Sequence, residues 1–143
     1  MQIKRPALEA QNRKTIECYL KTYHLIQAEI EDIEKAIAES NLTVQFSDIH
    51  SRNVQSQTEH KAIKMSEYTK LTTLRGIVKA IEVVLEELKA SSNETPYKVM
   101  MEYCMTNRTY QEASLFLNVD RSLLYKYQNM IIDKIGDELG LPV

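Results

Sequence analysis

The stretch TYQEASLFLNVDRSLLYKY, at residues 109–127, decides the fold predicted for the C-terminal part of this chain. Thr109 and Glu112 have the T-x-x-E spacing of a capping box, which predicts that a helix begins at the next residue after the threonine. Asn118 stands at the expected bend, because asparagine tolerates a left-handed backbone better than most residues. Asp120 is a preferred N-cap for a second helix. The stretch therefore predicts two helices joined by a tight turn.

The apolar residues of this stretch fall where a helix-turn-helix needs its inward positions. Small residues are expected where two helices cross closely, and larger ones along the inner face of the second helix. The predicted inward residues are Ala113, Ser114, Leu117, Val119, Leu124, Tyr127, Met130, Ile131 and Ile135. Gly140 and Pro142 are the expected stop signals, although Gly136 in the helix interior costs about 1 kcal/mol relative to alanine. An ordinary helical hairpin is the alternative interpretation.

The start of the second helix is predicted to expose side chains that suit a DNA major groove. Arginine bonds guanine edges bidentately, serine and asparagine contact base edges, leucine meets a thymine methyl, and tyrosine and lysine reach phosphates. The residues predicted to contact DNA bases and phosphates are Arg121, Ser122, Leu123, Tyr125, Lys126 and Asn129. Arg108, which lies just before the first helix, is predicted to contact the DNA backbone. A helix-turn-helix also serves as a protein-interaction module, so this pattern does not by itself select DNA.

The preceding part of the chain is predicted to be a coiled-coil or oligomerisation region at residues 1–90, followed by a helix-turn-helix domain at residues 91–143. Apolar residues recur in alternating steps of three and four, which is heptad spacing. They are Ile16, Tyr19, Tyr23, Ile26, Ile30, Ile33 and Ile37 in a helix at residues 7–39, and Leu71, Leu74, Val78, Ile81, Leu85 and Leu88 in a helix at residues 61–90. An antiparallel hairpin, a seam between chains and a single intramolecular core all fit this spacing.

A polar loop is predicted between these two helices, at residues 40–60. The heptad spacing fails there, and the composition changes to Ser, Asn, Gln, Thr and His. A loop of this length is long for a compact domain and is usually either mobile or functional. Within it, the alternation of Leu42, Val44 and Phe46 allows one short extended segment as an alternative.

The composition favours an all-α fold. Gly and Pro occur only three times each among 143 residues, Trp is absent, and residues that favour helices are abundant. No apolar run approaches the roughly 20 residues of a membrane span, and the N-terminal residues lack the apolar segment of a signal peptide. We therefore expect a cytoplasmic protein without membrane contact.

The sequence predicts no enzyme, no cofactor and no metal site. His24, His50 and His60 lack metal-ligand spacing, and the chain has no glycine-rich phosphate loop. Cys18 and Cys104 have no C-x-x-C spacing and are interpreted as small apolar residues in a reducing compartment.

The charge balance opposes strong binding of nucleic acid by a single copy. The net charge is -2, and from residue 91 onward five basic residues stand against seven acidic ones, whereas lysine and arginine supply most non-specific affinity for DNA. Association through the heptads into a homodimer or higher oligomer would raise avidity without new contacts. The basic residues near the N-terminus are interpreted either as further phosphate contacts or as a solvated basic end; they are Lys4, Arg5, Arg13, Lys14 and Lys21.

The chain also resembles a known family, the ArpU/RinA-type phage late-gene transcriptional regulators of Gram-positive bacteria. The resemblance lies in the order of parts, in Ser56-Gln57-Thr58-Glu59 before the second long helix, and in YQEASLFLNVDRSLLYKYQNMIIDKIGDELG at residues 110–140. This C-terminal segment is similar to the promoter-reading fourth region of bacterial sigma factors.

The resemblance implies a sequence-specific activator of prophage late genes that binds double-stranded DNA in a bacterial host cell. Host RNA polymerase is a further partner consistent with that role. The resemblance also implies that Arg121, Ser122, Tyr125 and Lys126 face the groove. The alternatives are a phage packaging adaptor of the small-terminase type, which also combines a helix-turn-helix with long helices, and a helical protein-interaction module.

Overall fold

The computed structural model describes the backbone of residues 7–50 and 54–141, and the side chains of residues 10–39 and 65–141. Within these ranges the chain is helical and forms no strand, which confirms the all-α class. The helices are α1 (Ala7–Lys21), α2 (Tyr23–His50), α3 (Val54–Ala90), α4 (Thr95–Val99), α5 (Tyr110–Leu117) and α6 (Arg121–Leu139), and a π-helical turn at Met100–Cys104 directly follows α4. No helix among the described residues is long and apolar enough to cross a membrane.

The first predicted helix is divided in two at Thr22. Its amide and its hydroxyl both donate to the carbonyl of Cys18, at 2.9 Å and 2.7 Å. One turn residue therefore separates α1 from α2, and the chain then continues as helix.

The prediction of a loop at residues 40–60 is wrong. Helix α2 continues to His50, and α3 begins at Val54, so the segment is helical on both sides of residues 51–53. The segment contains no Gly or Pro, and Ser, Asn and Thr lower helix stability by less than about 1 kcal/mol each. Polar composition alone was therefore too weak a signal for a loop, and the alternating segment around Val44 lies on helical backbone.

The chain divides into two compact units, of which the second is Leu25–Gly76. Two ion pairs join α2 to α3 within it, Lys70 with Glu29 and Arg75 with Glu34, the latter at 2.6 Å. Because only residues 51–53 separate these helices, such pairs require the chain to fold back on itself. Unit 2 is thus an antiparallel hairpin, one of the arrangements that the heptad spacing allowed.

Unit 1 comprises Met1–His24 and Ile77–Val143, so the first helix and the end of α3 share a unit with the C-terminal helices. This division does not coincide with the predicted boundary near residue 90. Helix α6 packs against α1, α4, α5 and the π-helical turn. Arg13 on α1 pairs with Asp133 on α6, and Lys134 on α6 pairs with Glu87 on α3.

The buried face of α3 within unit 1 matches the predicted stripe only in part. Ile81 and Leu88 are buried as predicted, whereas Val78 and Leu85 are half-buried. Ile77 and Val84, which the heptad spacing did not select, are buried as well, so the buried stripe is wider than a coiled-coil seam. The fully buried large side chains of the described residues are Ile16, Leu20, Ile81, Met100, Leu124, Ile131, Ile132, Ile135, Val84 and Val99.

We predict that Val44→Pro will lower helicity and destabilise the protein. Proline in a helix interior removes one hydrogen bond and costs about 3 kcal/mol. Val44→Ala is the matched control, because alanine favours helix and should leave helicity unchanged. Far-ultraviolet circular dichroism during urea unfolding tests both variants. Equal helicity and equal unfolding midpoints for the two would contradict a helix through this segment.

Candidate nucleic-acid interface

Helix α5 begins as its capping pattern predicts. Thr109 is the N-cap, and its hydroxyl accepts a hydrogen bond from the amide of Glu112 at 3.2 Å. This bond satisfies one of the amide groups that a helix start leaves without an intrahelical partner. The hydrogen bonds of the described residues do not include a return bond from the Glu112 carboxylate, so half of the capping box is formed.

The turn between α5 and α6 is built on Asn118, which has φ 53° and ψ 49°, the left-handed conformation that was predicted. The amides of Asn118 and Val119 both donate to the carbonyl of Ser114, the latter at 3.1 Å. The hydroxyl of Ser114 in turn donates to the carbonyl of Val119. Sequence reasoning selected Ser114 only for its small size and missed this hydrogen bond, which closes the turn.

Helix α6 begins and ends near the predicted residues. Asp120 occupies the N-cap position, but its carboxylate makes no capping hydrogen bond, which corrects the expected role of that side chain. At the other end Gly140 has φ 71°, and the amides of Gly140 and Leu141 donate to Asp137 and Gly136, the paired bonds of a Schellman motif. The predicted stop at Pro142 lies outside the described residues.

The pair of helices is held by a small apolar core. Ala113 on α5 and Leu124 on α6 are fully buried, so the two helices approach where one residue is small. Ile131 and Ile135 are buried as predicted, and Ile132 is buried as well. The predicted inward residues Ser114, Leu117, Val119, Tyr127 and Met130 are half-buried.

The start of α6 carries most of the predicted contact residues at the surface. Arg121, Ser122, Lys126 and Asn129 are exposed, whereas Leu123 and Tyr125 are half-buried. These six residues therefore form a polar surface with two partly covered apolar members.

Arg121 is held by two aromatic rings. Its guanidinium carbon lies 4.2 Å from the centroid of the Tyr110 ring and 5.5 Å from that of Tyr125. The two rings lie 6.1 Å apart. Stacking on a ring favours a cation and restricts its many rotamers. Tyr110 is thus a positioning residue that the sequence did not reveal, because this contact depends on how α5 crosses α6.

Arg108, which was predicted to contact the DNA backbone, is bound to other side chains of the protein. Its guanidinium donates to the Glu102 carboxylate at 2.7 Å and lies 4.1 Å from the centroid of the Phe116 ring. Its positive charge is therefore offset locally by an acidic neighbour. This contact corrects the expectation that Arg108 is available to a phosphate without rearrangement.

Further basic residues divide into those that form ion pairs and those that do not. Arg13 and Lys134 are committed to Asp133 and Glu87, and Lys4 and Arg5 lie outside the described residues. Lys14, Lys21, Arg121 and Lys126 are exposed, and none of these four forms an ion pair within the described part of the chain. Of the residues predicted to contact DNA, Arg121 and Lys126 are therefore cations whose charge is available to an anion.

The two cysteines differ in environment. Cys104 is buried, and burial raises the pKa of its thiol to about 12, with the nearby Glu17 carboxylate adding to the effect. Cys18 is exposed, which corrects its interpretation as a small buried residue. Over the described residues, no group of three or more His, Cys, Asp or Glu side chains is arranged to hold a metal ion.

Comparisons of this chain with protein-family models, with curated proteins and with solved structures found no match.

We predict that Asn118→Ala will destabilise the protein by about 1 kcal/mol, because alanine keeps the β-carbon that the left-handed conformation disfavours and lacks the short amide with which asparagine bonds locally. Asn118→Gly should be neutral or slightly stabilising, since glycine adopts that conformation freely. Urea unfolding of the two variants beside the wild type measures the difference. Equal destabilisation by both substitutions would mean that the asparagine side chain, and not the backbone conformation, holds the turn.

Proposed function

We propose that this chain binds double-stranded DNA through α5 and α6, with the N-terminal turns of α6 in the major groove. The observation that carries the proposal is the placement of Arg121 at the start of α6, where the rings of Tyr110 and Tyr125 support its guanidinium. An arginine so restricted loses less conformational freedom on binding guanine than a mobile one does. In known helix-turn-helix proteins the first residues of the second helix contact base edges.

The spacing of the exposed residues fits this arrangement. Arg121, Tyr125 and Asn129 are four residues apart, and neighbours three or four apart lie on one helix face. Ser122 and Lys126 flank that face and are exposed. We assign Arg121 and Asn129 to base edges, and Lys126 to a phosphate.

The charge of the protein indicates that a single copy binds DNA weakly. The whole chain has a net charge of -2, and the exposed Glu112 and Asp120 lie on the same pair of helices as Arg121 and Lys126. Each neutralised phosphate contributes salt-dependent affinity, and two available cations contribute little. The proposal therefore includes association of two chains, so that the second contact becomes intramolecular.

The hairpin of unit 2 is the surface proposed for that association. Leu25, Met65 and Tyr68 are large side chains on α2 and α3 of this hairpin, and they are exposed by 69%, 72% and 48%. Two helices alone cannot surround their apolar side chains, whereas two hairpins together form a four-helix bundle with a closed core. We propose a homodimer through unit 2.

The biological role within this proposal comes from the sequence resemblance. We propose a non-enzymatic activator of phage or prophage late genes, acting in the cytoplasm of a bacterial host and able to contact its RNA polymerase. A packaging adaptor of the small-terminase type is the alternative, and it differs in assembling as a ring without preference for a promoter.

We predict that the full-length protein will enrich a specific duplex from a randomised DNA pool, and that Arg121→Ala will weaken binding to that duplex. Loss of one bidentate base contact costs about 1–3 kcal/mol. Lys126→Ala should remove one phosphate contact, which lowers the slope of log affinity against log salt concentration by about one. Fluorescence anisotropy at several salt concentrations measures both effects.

Lys98→Ala is the control for this experiment. Lys98 is an exposed lysine of α4 that pairs with Glu94 and is not one of the proposed DNA contacts. Its removal should leave affinity and salt dependence unchanged. Failure to enrich any duplex, or binding that survives both Arg121→Ala and Lys126→Ala, would contradict the proposed surface.

We predict that Met65→Glu will weaken self-association by about tenfold or more, because a carboxylate would be buried without a partner between two hairpins. Ser66→Glu adds the same charge at a neighbouring exposed residue and should leave the dimer intact. Sedimentation equilibrium of the full chain measures both. A wild-type chain that is monomeric at all concentrations would contradict the dimer, and a ring of many copies would favour the packaging adaptor.

A further inference from the structure

A cleft of about 350 Å³ lies within unit 1, between α1, the π-helical turn and the start of α5. Its volume is within the range of small-molecule sites, roughly 300–1,000 Å³. Its apolar lining residues are Leu20, Tyr103 and the buried Cys104.

The lining of the cleft also includes polar groups. Lys21, Asn107 and Gln128 come from three different parts of the chain and provide an ammonium and two amides. Lys21 is exposed, and within the described residues it forms no ion pair, so its charge is available to a ligand. Convergent donors beside an apolar wall are the usual composition of a ligand site.

The charge of the lining limits what the cleft can hold. Arg108 is paired with Glu102, which leaves Lys21 as the cation of the lining without an ion pair among the described residues. A carboxylate would meet this one ammonium, whereas a phosphate dianion would leave excess negative charge beside Glu17.

We propose that this cleft binds a small organic monocarboxylate whose apolar part is about the size of one ring. The carboxylate lies at Lys21, with Asn107 and Gln128 as further donors, and the apolar part lies against Leu20 and Tyr103. A cleft of this volume exceeds the space of one water molecule, about 30 Å³, by about tenfold, so a body of ring size fits it.

Occupancy of the cleft is coupled to the DNA surface through Tyr110. The Tyr110 side chain both lines the cleft and stacks beneath Arg121, and Arg108 lines the cleft where α5 begins. A ligand that shifts Tyr110 therefore shifts Arg121. This regulatory step rests on the proposed function, whereas binding of the ligand does not, and by linkage any effect of ligand on DNA affinity equals that of DNA on ligand affinity.

The test uses benzoate as the probe and the full-length protein without DNA, so that its failure is distinct from a failure of DNA binding. Methyl-labelled leucine and ring-labelled tyrosine are followed by nuclear magnetic resonance during a benzoate titration. We expect saturable shifts at Leu20, Tyr103 and Tyr110, and no saturable shifts with benzyl alcohol, which has the same ring and no charge.

Two variants test the role of Lys21. Lys21→Met keeps most of the apolar stem and removes the charge, and it should weaken benzoate by about tenfold, the value of one charged hydrogen bond. Lys14→Met makes the same change at an exposed lysine of α1 that does not line the cleft, and should leave binding unchanged. Absence of saturable shifts, equal binding of benzyl alcohol, or benzoate binding unaffected by Lys21→Met would each overturn the proposal. Loss of DNA affinity in Lys21→Met without benzoate binding would identify a backbone phosphate as the occupant instead.

Discussion

Burial of one face of α6 is the constraint on which unit 1 depends. Leu124, Ile131, Ile132 and Ile135 are fully buried, and α1, α4, α5 and the π-helical turn all pack against this helix. Each buried aliphatic side chain contributes about 1.5–3 kcal/mol relative to an exposed one. Because the inner face is committed to the core, the opposite face of the first turns is fixed toward solvent. The same packing that stabilises the unit thus orients Arg121 and Lys126.

Several cations of unit 1 form ion pairs within the unit. Arg13, Arg108 and Lys134 each pair with a carboxylate on another part of the chain, at Asp133, Glu102 and Glu87. Partly exposed pairs of this kind contribute about 1 kcal/mol or less each, but they also remove cations from the surface. The proposed recognition therefore depends on a few well-positioned contacts and on association of chains, and only weakly on the general field of the protein. That balance suits a protein whose affinity for its target sequence is much higher than its affinity for other DNA.

Features that depend on local sequence were predicted correctly, whereas contacts between distant residues were not. The cap at Thr109, the left-handed Asn118 and the stop at Gly140 were correct because each depends on backbone geometry within a few residues. The loop at residues 40–60 was wrong, since polar composition without Gly or Pro does not end a helix. The stacking of Arg121 on Tyr110 and the pairing of Arg108 with Glu102 depend on how helices cross, which periodicity does not encode. On α3, the heptad spacing selected the buried Ile81 and Leu88 correctly but missed the buried Ile77 and Val84.

We propose that DNA meets the start of α6, which its buried face and the Tyr110 ring orient. A backbone amide nuclear magnetic resonance titration of the full chain with its selected duplex measures this most directly. We expect the largest shift changes at Tyr110 and at residues 121–129, with small changes along residues 25–39 of the hairpin. Changes confined to the hairpin, or absent from residues 121–129 while the duplex binds, would contradict it.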